Sequence, residues 1–347
     1  NLVSPQSVRD SGLTSIFIKT RQYMGLKILF IDHAFHLKTK STEFFVEILR
    51  ILGNVEEKYD ESWSSGTLKY QCSSISKSFD LIVVFQLSDV IFELIKTKHP
   101  NLVFIPMYDG VHKKDRLFWN RLKNVKIINF SSALHTTCLS HHLNSYHLQY
   151  FPEAFNFSPA EYENPKLFFW QRRSYPNWQT VSSILPPAQF ERIHIHTALD
   201  PNQKTDITPT TSEKRIHNIT TSEWFESKDD FVSKLKEFNL FFIPREREGI
   251  GFSFLDAMSL GLIPIGFDQP TFNEYVIDKI NGFIVDKKQR LDLPPLQKVS
   301  ENLEKNLRDG RINYEKQLPS LEKFLTAPMK DSLSYYSLAR SFLLGKQ

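Results

Sequence analysis

Short apolar runs alternate with longer polar stretches along the first half of the chain. The apolar runs are residues 26–31, 80–85, 103–106 and 125–130. Such runs are typical of parallel strands that are buried on both faces. Residues 42–52 predict a helix, and Gly53 after them predicts its C-cap. The alternation of strands and helices predicts βαβ units in a doubly wound sheet.

The pattern breaks near residue 150 and then starts again. Residues 152–165 are rich in Pro, Asn, Ser and Glu, which predicts a linker. The later apolar runs are residues 166–170, 240–244, 262–266 and 282–285, and residues 192–196 alternate between polar and apolar with period two. We therefore predict two Rossmann-like α/β domains that face a central cleft. Ligands bind beyond the carboxyl ends of the strands in such sheets.

The predicted boundaries follow from these breaks. They are an N-terminal extension at 1–23, a first domain at 24–155, a second domain at 156–328 and a C-terminal helix at 329–347. The extension matches no motif. We expect the terminal helix to pack toward the first domain.

Composition narrows the classes of function. The net charge of +4 is too small for a nucleic-acid-binding surface, but it suits an anionic substrate or contact with an anionic membrane. Cys72 and Cys138 have no CxxC partners, which argues against a disulfide framework and a structural zinc site. No apolar run reaches the roughly 18–20 residues of a membrane span. We expect no signal peptide and a cytoplasmic protein.

The segment 244–261 carries the clearest chemistry. Gly249 and Gly251 lie where a strand leads into a helix that starts near Phe252, so a ligand can approach the backbone. The free amides at such a helix start favour a diphosphate. Glu248 and Asp256 are spaced to accept hydrogen bonds from a sugar and a ribose on either side. Spacing alone leaves open a capped helix with two solvated carboxylates.

This segment resembles the E-x7-E element of retaining GT-B glycosyltransferases of family GT4, with Asp256 in the second acidic position. The surrounding Gly-Ile-Gly-Phe-Ser-Phe-Leu-Asp-Ala-Met, and Pro-Thr-Phe-Asn-Glu-Tyr-Val with Asn-Gly after it, resemble the family's motifs over about 40 residues. The resemblance implies that Glu248 contacts the donor hexose and that Asp256 contacts the ribose. The other donor-binding residues it implies are Gly249, Ile250, Gly251, Phe252, Thr271 and Asn273.

Members of the family usually bind the diphosphate with a Gly-Arg and a nearby Lys at the start of the second domain. Here the corresponding strand leads into Arg172 and Arg173, and no Lys follows soon. Arginine suits bidentate phosphate contacts, so Arg172 is the best candidate, with Arg173 and Arg245 as further cations. The alternatives are solvated surface arginines and, for Arg245, pairing with Glu246 and neighbouring acids.

The first domain departs further from the family. The loop after its first strand, residues 33–41, lacks the expected glycines. Lys38, Lys40 and Ser41 in this loop are candidates for contact with an anionic acceptor. Asp109 or His112 is the candidate for the family's histidine near the reacting sugar, although a lone histidine is more often structural.

The resemblance implies an enzyme that moves a hexose from a nucleotide-diphosphate sugar, with UDP-sugar expected, to a glycan or lipid-linked acceptor. It implies retention of configuration and no metal or other cofactor. We expect a role in bacterial surface polysaccharide synthesis, such as O-antigen, lipopolysaccharide or capsule, with peripheral contact at the inner membrane face. Alternatives are a GT-B-like sugar-nucleotide epimerase and a catalytically degenerate binding protein. A phosphorylase lacks a candidate cofactor lysine, and a dehydrogenase lacks G-x-G-x-x-G after the first strand.

Overall fold

The structure is a computed structural model, and it describes residues 25–62, 75–154, 157, 161–200, 203–204 and 207–329. The predicted extension 1–23, Cys72 and the predicted terminal helix beyond Met329 lie outside these residues. The chain forms two compact units. Of the described residues, the first unit contains those at 25–106, 117–127 and 322–329, and the second contains those at 107–116 and 128–321.

The first sheet has six strands in the order β2-β1-β3-β4-β5-β6. They are β1 Leu26–His33, β2 Gly53–Asp60, β3 Leu81–Phe85, β4 Leu102–Ile105, β5 Lys126–Asn129 and β6 Asn144–His147. β1 is paired in parallel with both β2 and β3. The chain moves from β1 to β2 on one side and then to β3 on the other, so the strand order reverses between β1 and β3.

The second sheet has six strands in the order β12-β11-β10-β7-β8-β9. They are β7 Lys166–Trp170, β8 Arg192–His196, β9 Ile219–Ser222, β10 Leu240–Phe242, β11 Ile263–Phe267 and β12 Phe283–Val285. β7 is paired in parallel with both β8 and β10. The strand order of this sheet therefore reverses between β7 and β10, as it does between β1 and β3.

Helices connect the strands of both sheets. They are α1 Phe35–Thr39, α2 Glu43–Leu52, α3 Ser88–Lys96, α4 Tyr108–Val111, α5 Arg116–Asn120, α6 Ser132–Ser140, α7 Trp178–Ile184, α8 Thr211–Ile216, α9 Lys228–Leu235, α10 Phe252–Ser259 and α11 Gln297–Thr326. The predicted α/β class with two doubly wound sheets is confirmed. Within the described ranges, no helix combines the length and apolarity that a bilayer-spanning segment requires.

The apolar runs form the centres of the two sheets, as their patterns predict. All five residues of β3 are buried, and so are the middle residues of β1 and β7. Aromatic rings fill much of the second core, where Phe168 and Phe241 stack with centroids 5.9 Å apart. The predicted linker has no helix or strand among its described residues.

Gly53 does not end α2 in the left-handed way that a C-cap glycine usually does. Its φ is 175°, which is extended backbone, and it opens β2 directly. A Cβ at Gly53 would lie 2.1 Å from the carbonyl oxygen of Leu26. Close packing of β2 against β1 therefore explains this glycine.

Candidate functional site

Two loops of the second sheet meet where its strand order reverses. Arg172 follows the end of β7, and Arg245 and Glu248 follow the end of β10. The carboxyl ends of strands at such a reversal are where open α/β sheets bind ligands. The fold therefore brings together residues that are far apart in the sequence and that were predicted from separate motifs.

Asp200, from the loop after β8, accepts hydrogen bonds from three arginines. Arg172 donates from Nε and Nη2 to Asp200 Oδ1 at 3.0 and 2.6 Å. Arg173 Nε and Arg245 Nη2 donate to Oδ2 at 3.0 and 2.6 Å. The backbone reinforces the arrangement, because the amide of Asp200 donates to the carbonyl of Arg172 at 2.9 Å. The guanidinium groups are thus fixed around one carboxylate.

Arg245 also contacts two further carboxylates. Its Nη1 donates to Asp109 Oδ2 at 3.1 Å and lies 3.8 Å from Glu248 Oε2. The alternative partner, Glu246, pairs with Lys287 instead. The Arg245 side chain is 17% exposed, and its surroundings are therefore largely desolvated.

Burial and charge move the pKa values of these groups in different directions. Burial opposes ionisation of Asp200, but the charges of Arg245 and Arg172 outweigh it and lower the pKa of Asp200 to about 2. Burial raises the pKa of Glu248 above its ordinary value, although Arg245 and Arg172 oppose that effect. Burial also disfavours the charge of Arg245, but the carboxylates around it raise its pKa. Arg245 and Arg172, together with Asp109 and Asp200, thus act on a carboxyl group that burial makes costly to ionise.

Glu248 presents a buried oxygen to the site. Only 7% of the residue is exposed, and Oε1 has no hydrogen-bond partner among the described residues. Leaving such an acceptor unpaired costs about 1–3 kcal/mol, so Oε1 is a candidate acceptor for a donor group of a ligand or a water. Ser253 Oγ, in the first turn of α10, is likewise buried without a partner in the described chain.

The start of α10 depends on glycine. Gly251 is its N-cap with φ 87°, in the left-handed region, and a Cβ there would lie 2.0 Å from the ring of Phe254. A Cβ at Gly249 would lie 2.8 Å from Met107 Sδ. Thr271 is fully buried and donates from Oγ1 to the carbonyls of Glu248 and Gly249 at 2.8 and 3.3 Å. These contacts fix the path of the loop, and the loop ends at the first backbone amides of α10.

The remaining predicted residues have varied surroundings. Asp256 is half-buried in α10, and exposed Asn273 donates to Asp268 Oδ1 at 2.8 Å. His112 stacks on Tyr108. His112 Nδ1 lies 3.2 Å from the carbonyls of Tyr108 and Asp109.

The residues predicted to meet an acceptor lie after β1. Lys40 is exposed, and Ser41 Oγ lies 3.0 Å from Thr39 Oγ1. The side chain of Lys38 lies outside the described part of the chain. None of these observations assigns these residues a ligand.

Asp200 is the functional residue that the sequence did not reveal. It lies 28 residues from Arg172 and 45 from Arg245 along the chain. It stands at the start of a polar loop without a recognisable motif. Its place just after β8 was the available signal, since polar residues that follow neighbouring parallel strands meet at one edge of a sheet.

The arrangement fits the anionic end of a ligand next to its polar hydroxyl-bearing part. Arg172, Arg173 and Arg245 present guanidinium groups to bind phosphate oxygens. The amides at the α10 start are suited to the same anion. Glu248 places an unpartnered carboxylate oxygen in the same loop as Arg245. Among the described residues, the group that could share a metal ion is Asp32, His33 and His36, which lies in the first unit.

Solved structures with the same fold include sugar-transfer enzymes. Anabaena HepE in complex with UDP-glucose is 12% identical, and the alignment covers 89% of this chain and 100% of that one, with a TM-score of 0.53. The galactosyltransferase WaaB of the lipopolysaccharide outer core is 14% identical, with 93% and 100% coverage and a TM-score of 0.51. Sucrose-phosphate synthase from Thermosynechococcus elongatus is 13% identical, with 92% and 100% coverage and a TM-score of 0.51. These likenesses establish the GT-B fold of two Rossmann-like domains.

A narrower match falls on the candidate site. The family described as "Glycosyl transferases group 1" matches residues 211–308, which include Glu248 and α10. Arg172 and Asp200 lie before the matched residues. The chain spans 57% of the length of an S. aureus TarM chain, at a TM-score of 0.47. No curated protein matches it by sequence.

Proposed function

We propose that this protein transfers a hexose from a nucleotide-diphosphate sugar, with UDP-hexose as the expected donor, to a hydroxyl group of an acceptor. The observation that carries the proposal is Glu248. Its buried Oε1 lacks a partner in the described residues and lies in a loop beside three fixed arginines. A sugar hydroxyl next to a diphosphate would supply both the missing donor and the anion.

The cations have a direct part in the reaction. Negative charge develops on the diphosphate oxygens as the bond to the sugar breaks. Arg172, Arg173 and the α10 amides stabilise that charge, and Arg245 holds Glu248 and Asp200 in place. Groups fixed before the reaction begins need little reorganisation, and such electrostatic stabilisation commonly contributes more to catalysis than any other effect.

The neighbouring polar groups bind the other parts of the donor. Glu248 binds the hexose, and Asp256 accepts hydrogen bonds from the ribose. Thr271 positions the loop through the carbonyls of Glu248 and Gly249. Transfer proceeds with retention of configuration and without a divalent ion at the donor site, because the arginines take the part of the cation.

The acceptor side of the proposal rests on charge and on the resemblance in the 244–281 segment. We propose a glycan or lipid-linked acceptor in polysaccharide synthesis of the O-antigen or capsule kind. The net charge of +4 suits work at an anionic membrane surface on the cytoplasmic side.

The first experiment is to identify the donor and to test Glu248. Thermal shift with a panel of nucleotide sugars selects the donor, and mass spectrometry with candidate acceptors detects the product. Glu248→Ala is expected to lower kcat/KM for transfer at least 100-fold. Its affinity for UDP alone should change less than about threefold, because Glu248 faces the sugar.

Glu246→Ala is the matched control, since Glu246 lies in the same loop but pairs with Lys287. It should keep transfer within about threefold of the unmodified protein. Near-normal turnover in Glu248→Ala would overturn the assignment. A donor that is converted to another nucleotide sugar without an acceptor would identify an epimerase instead. NMR of the product's anomeric proton decides between retention and inversion.

A further inference from the structure

The first sheet has its own cluster of polar residues where its strand order reverses. Asp32 and His33 end β1, His36 lies in α1, and Gln86 directly follows β3. β1 and β3 are the strands between which the order changes. This is the edge at which a doubly wound sheet binds ligands, yet nothing in the proposed donor chemistry uses these residues.

Asp32 is the centre of the cluster. It is fully buried, and His36 Nδ1 lies 2.9 and 2.8 Å from its two carboxylate oxygens. Thr42 Oγ1 donates to Oδ2 at 2.9 Å, and the amide of His33 donates to Oδ1 at 2.8 Å. The carboxylate is therefore held in one orientation by groups on both sides of it.

The two histidines are also oriented. His33 Nε2 lies 2.8 Å from Gln86 Oε1, and the rings of His33 and His36 are 3.7 Å apart between centroids. Gln86 has φ 64°, an unusual left-handed backbone for a residue with a long side chain. Such conformations persist where the surroundings enforce them, and they occur often at ligand sites.

Negative charge at this edge has little cationic compensation. Asp60 on β2 lies opposite His33 on β1 in the strand register, and it is fully buried like Asp32. Asp60 Oδ2 has no hydrogen-bond partner in the described part of the chain. No Lys or Arg among the described residues forms an ion pair with either carboxylate, and His36 is the basic group that contacts Asp32. Buried carboxylates are normally paired with a cation or bound to a metal.

We infer that Asp32, His33 and His36 bind a divalent transition metal ion of the Zn²⁺ type. One ligand atom from each residue lies within 4.8 Å of the others. Zinc bonds to nitrogen and oxygen are about 2.0–2.2 Å long, so small side-chain rotations bring the three atoms onto one ion. Thr42 and Gln86 hold the ligands from behind, as outer hydrogen-bond partners do at metal sites.

The ligand set selects the class of ion. Two imidazoles and one carboxylate suit Zn²⁺ and its neighbours in the transition series. Mg²⁺ and Ca²⁺ prefer oxygen ligands and would be bound poorly. Three protein ligands leave a position for water or for an oxygen of a substrate, as at catalytic zinc sites. The inference concerns the first unit and does not depend on the donor chemistry proposed for the second.

The test uses the whole chain after dialysis against EDTA. Calorimetric titration with Zn²⁺ should show one tight site, and Co²⁺ should give the visible absorption bands of a low-symmetry site. Zn²⁺ should raise the melting temperature, whereas Mg²⁺ at the same concentration should leave it unchanged. A wild-type protein that binds no Zn²⁺ would overturn the inference.

Variants locate the site. His36→Gln should weaken Zn²⁺ binding at least 100-fold, and Thr42→Val about 10-fold, because loss of an outer partner typically costs 10–100-fold. His217→Gln, in the second unit, is the matched control and should bind as the unmodified protein does. Circular dichroism without metal checks that each variant is folded. Equal Zn²⁺ affinity in His36→Gln and the unmodified protein would mean that the ion binds elsewhere and the inference is wrong.

Discussion

The two sheets reverse their strand order in the same way but line the reversal with opposite chemistry. Between β7 and β10 the loops carry Arg172 and Arg245, whereas between β1 and β3 the end of β1 carries Asp32 and His33 and α1 carries His36. The topology is therefore responsible for where polar residues gather. The side chains decide the kind of ligand, which on the proposals made above is an anion in one unit and a cation in the other.

The backbones of the two edges differ as well. Gly251 adopts φ 87° at the start of α10 and has no side chain beside the first amides of that helix. At the other edge Gln86 adopts φ 64° and contributes its side-chain oxygen to His33. A glycine makes the backbone itself available to a ligand, whereas a residue with a side chain at the same point offers that side chain instead.

Among substitutions at the edge between β7 and β10, Arg245→Met is expected to have the largest effect on stability. This change leaves Asp109, Asp200 and Glu248 without a shared cation in a largely buried setting. Removing one member of a buried ion pair typically costs 3–5 kcal/mol, so we expect a loss of about 4 kcal/mol in the free energy of unfolding. Urea denaturation at neutral pH measures it.

Arg192→Met is the control for that prediction. Arg192 pairs with Glu237 in the same unit, but their side chains are 28% and 41% exposed. Exposed pairs contribute about 0–1 kcal/mol, so the two variants should differ clearly. Equal losses would show that the Arg245 contacts resemble ordinary surface pairs and that the two edges differ less than proposed.

Asp200→Asn is expected to lower the free energy of unfolding by less than Arg245→Met does. The pKa of Asp200 is lowered to about 2 from an ordinary value of 3.8. Its contribution to stability is therefore present above about pH 4 and is lost as the pH falls toward 2. A shift of this size corresponds to about 2 kcal/mol at neutral pH. Urea denaturation of the unmodified protein and of Asp200→Asn from pH 7 downward should show their difference in unfolding free energy shrinking below pH 4. A gap that stays constant with pH would contradict the prediction.

The smallest expected change in the free energy of unfolding is that of Glu248→Gln, and it is a gain rather than a loss. Burial raises the pKa of Glu248, so the folded protein binds its proton more tightly than the unfolded chain does. Ionisation at neutral pH then costs stability, and Glu248→Gln should be more stable than the unmodified protein at pH 7 while it loses transfer. The gain should vanish as the pH falls below the unfolded value near 4.5. Thermal melts at pH 7 and pH 4 test it, and a destabilised variant at pH 7 would refute it.

The elements that sequence revealed are those with strong local signals. β3 and β7 are continuous apolar runs, and the start of α10 is marked by Gly249 and Gly251. β2 was missed because Gly53–Asp60 is mostly polar and lies at the edge of its sheet. The long helix α11 was missed because Gly310 and Pro319 interrupt its pattern.

Only those site residues that lie in recognisable motifs could be predicted from the sequence. Glu248 and Arg172 stand at recognisable places after strands, and the structure brings their loops to one edge. Asp200 carries no motif, so its contact with three arginines depends on the fold rather than on local sequence. Lys38, Lys40 and Ser41 were predicted from their charged or polar side chains, whereas the role of the buried Asp32 carboxylate was recognisable only from its contacts with His36 and Thr42.

The contacts of Asp200 have a consequence for competition in the cell. Any anion that approaches Arg172, Arg173 or Arg245 meets guanidinium groups that already have a carboxylate between them. A singly charged ion gains little by sharing them, whereas the several charges of a diphosphate repay the displacement. On the proposed function, Asp200 therefore makes the arginines selective for polyvalent anions, and abundant monovalent anions such as chloride would compete weakly with the donor.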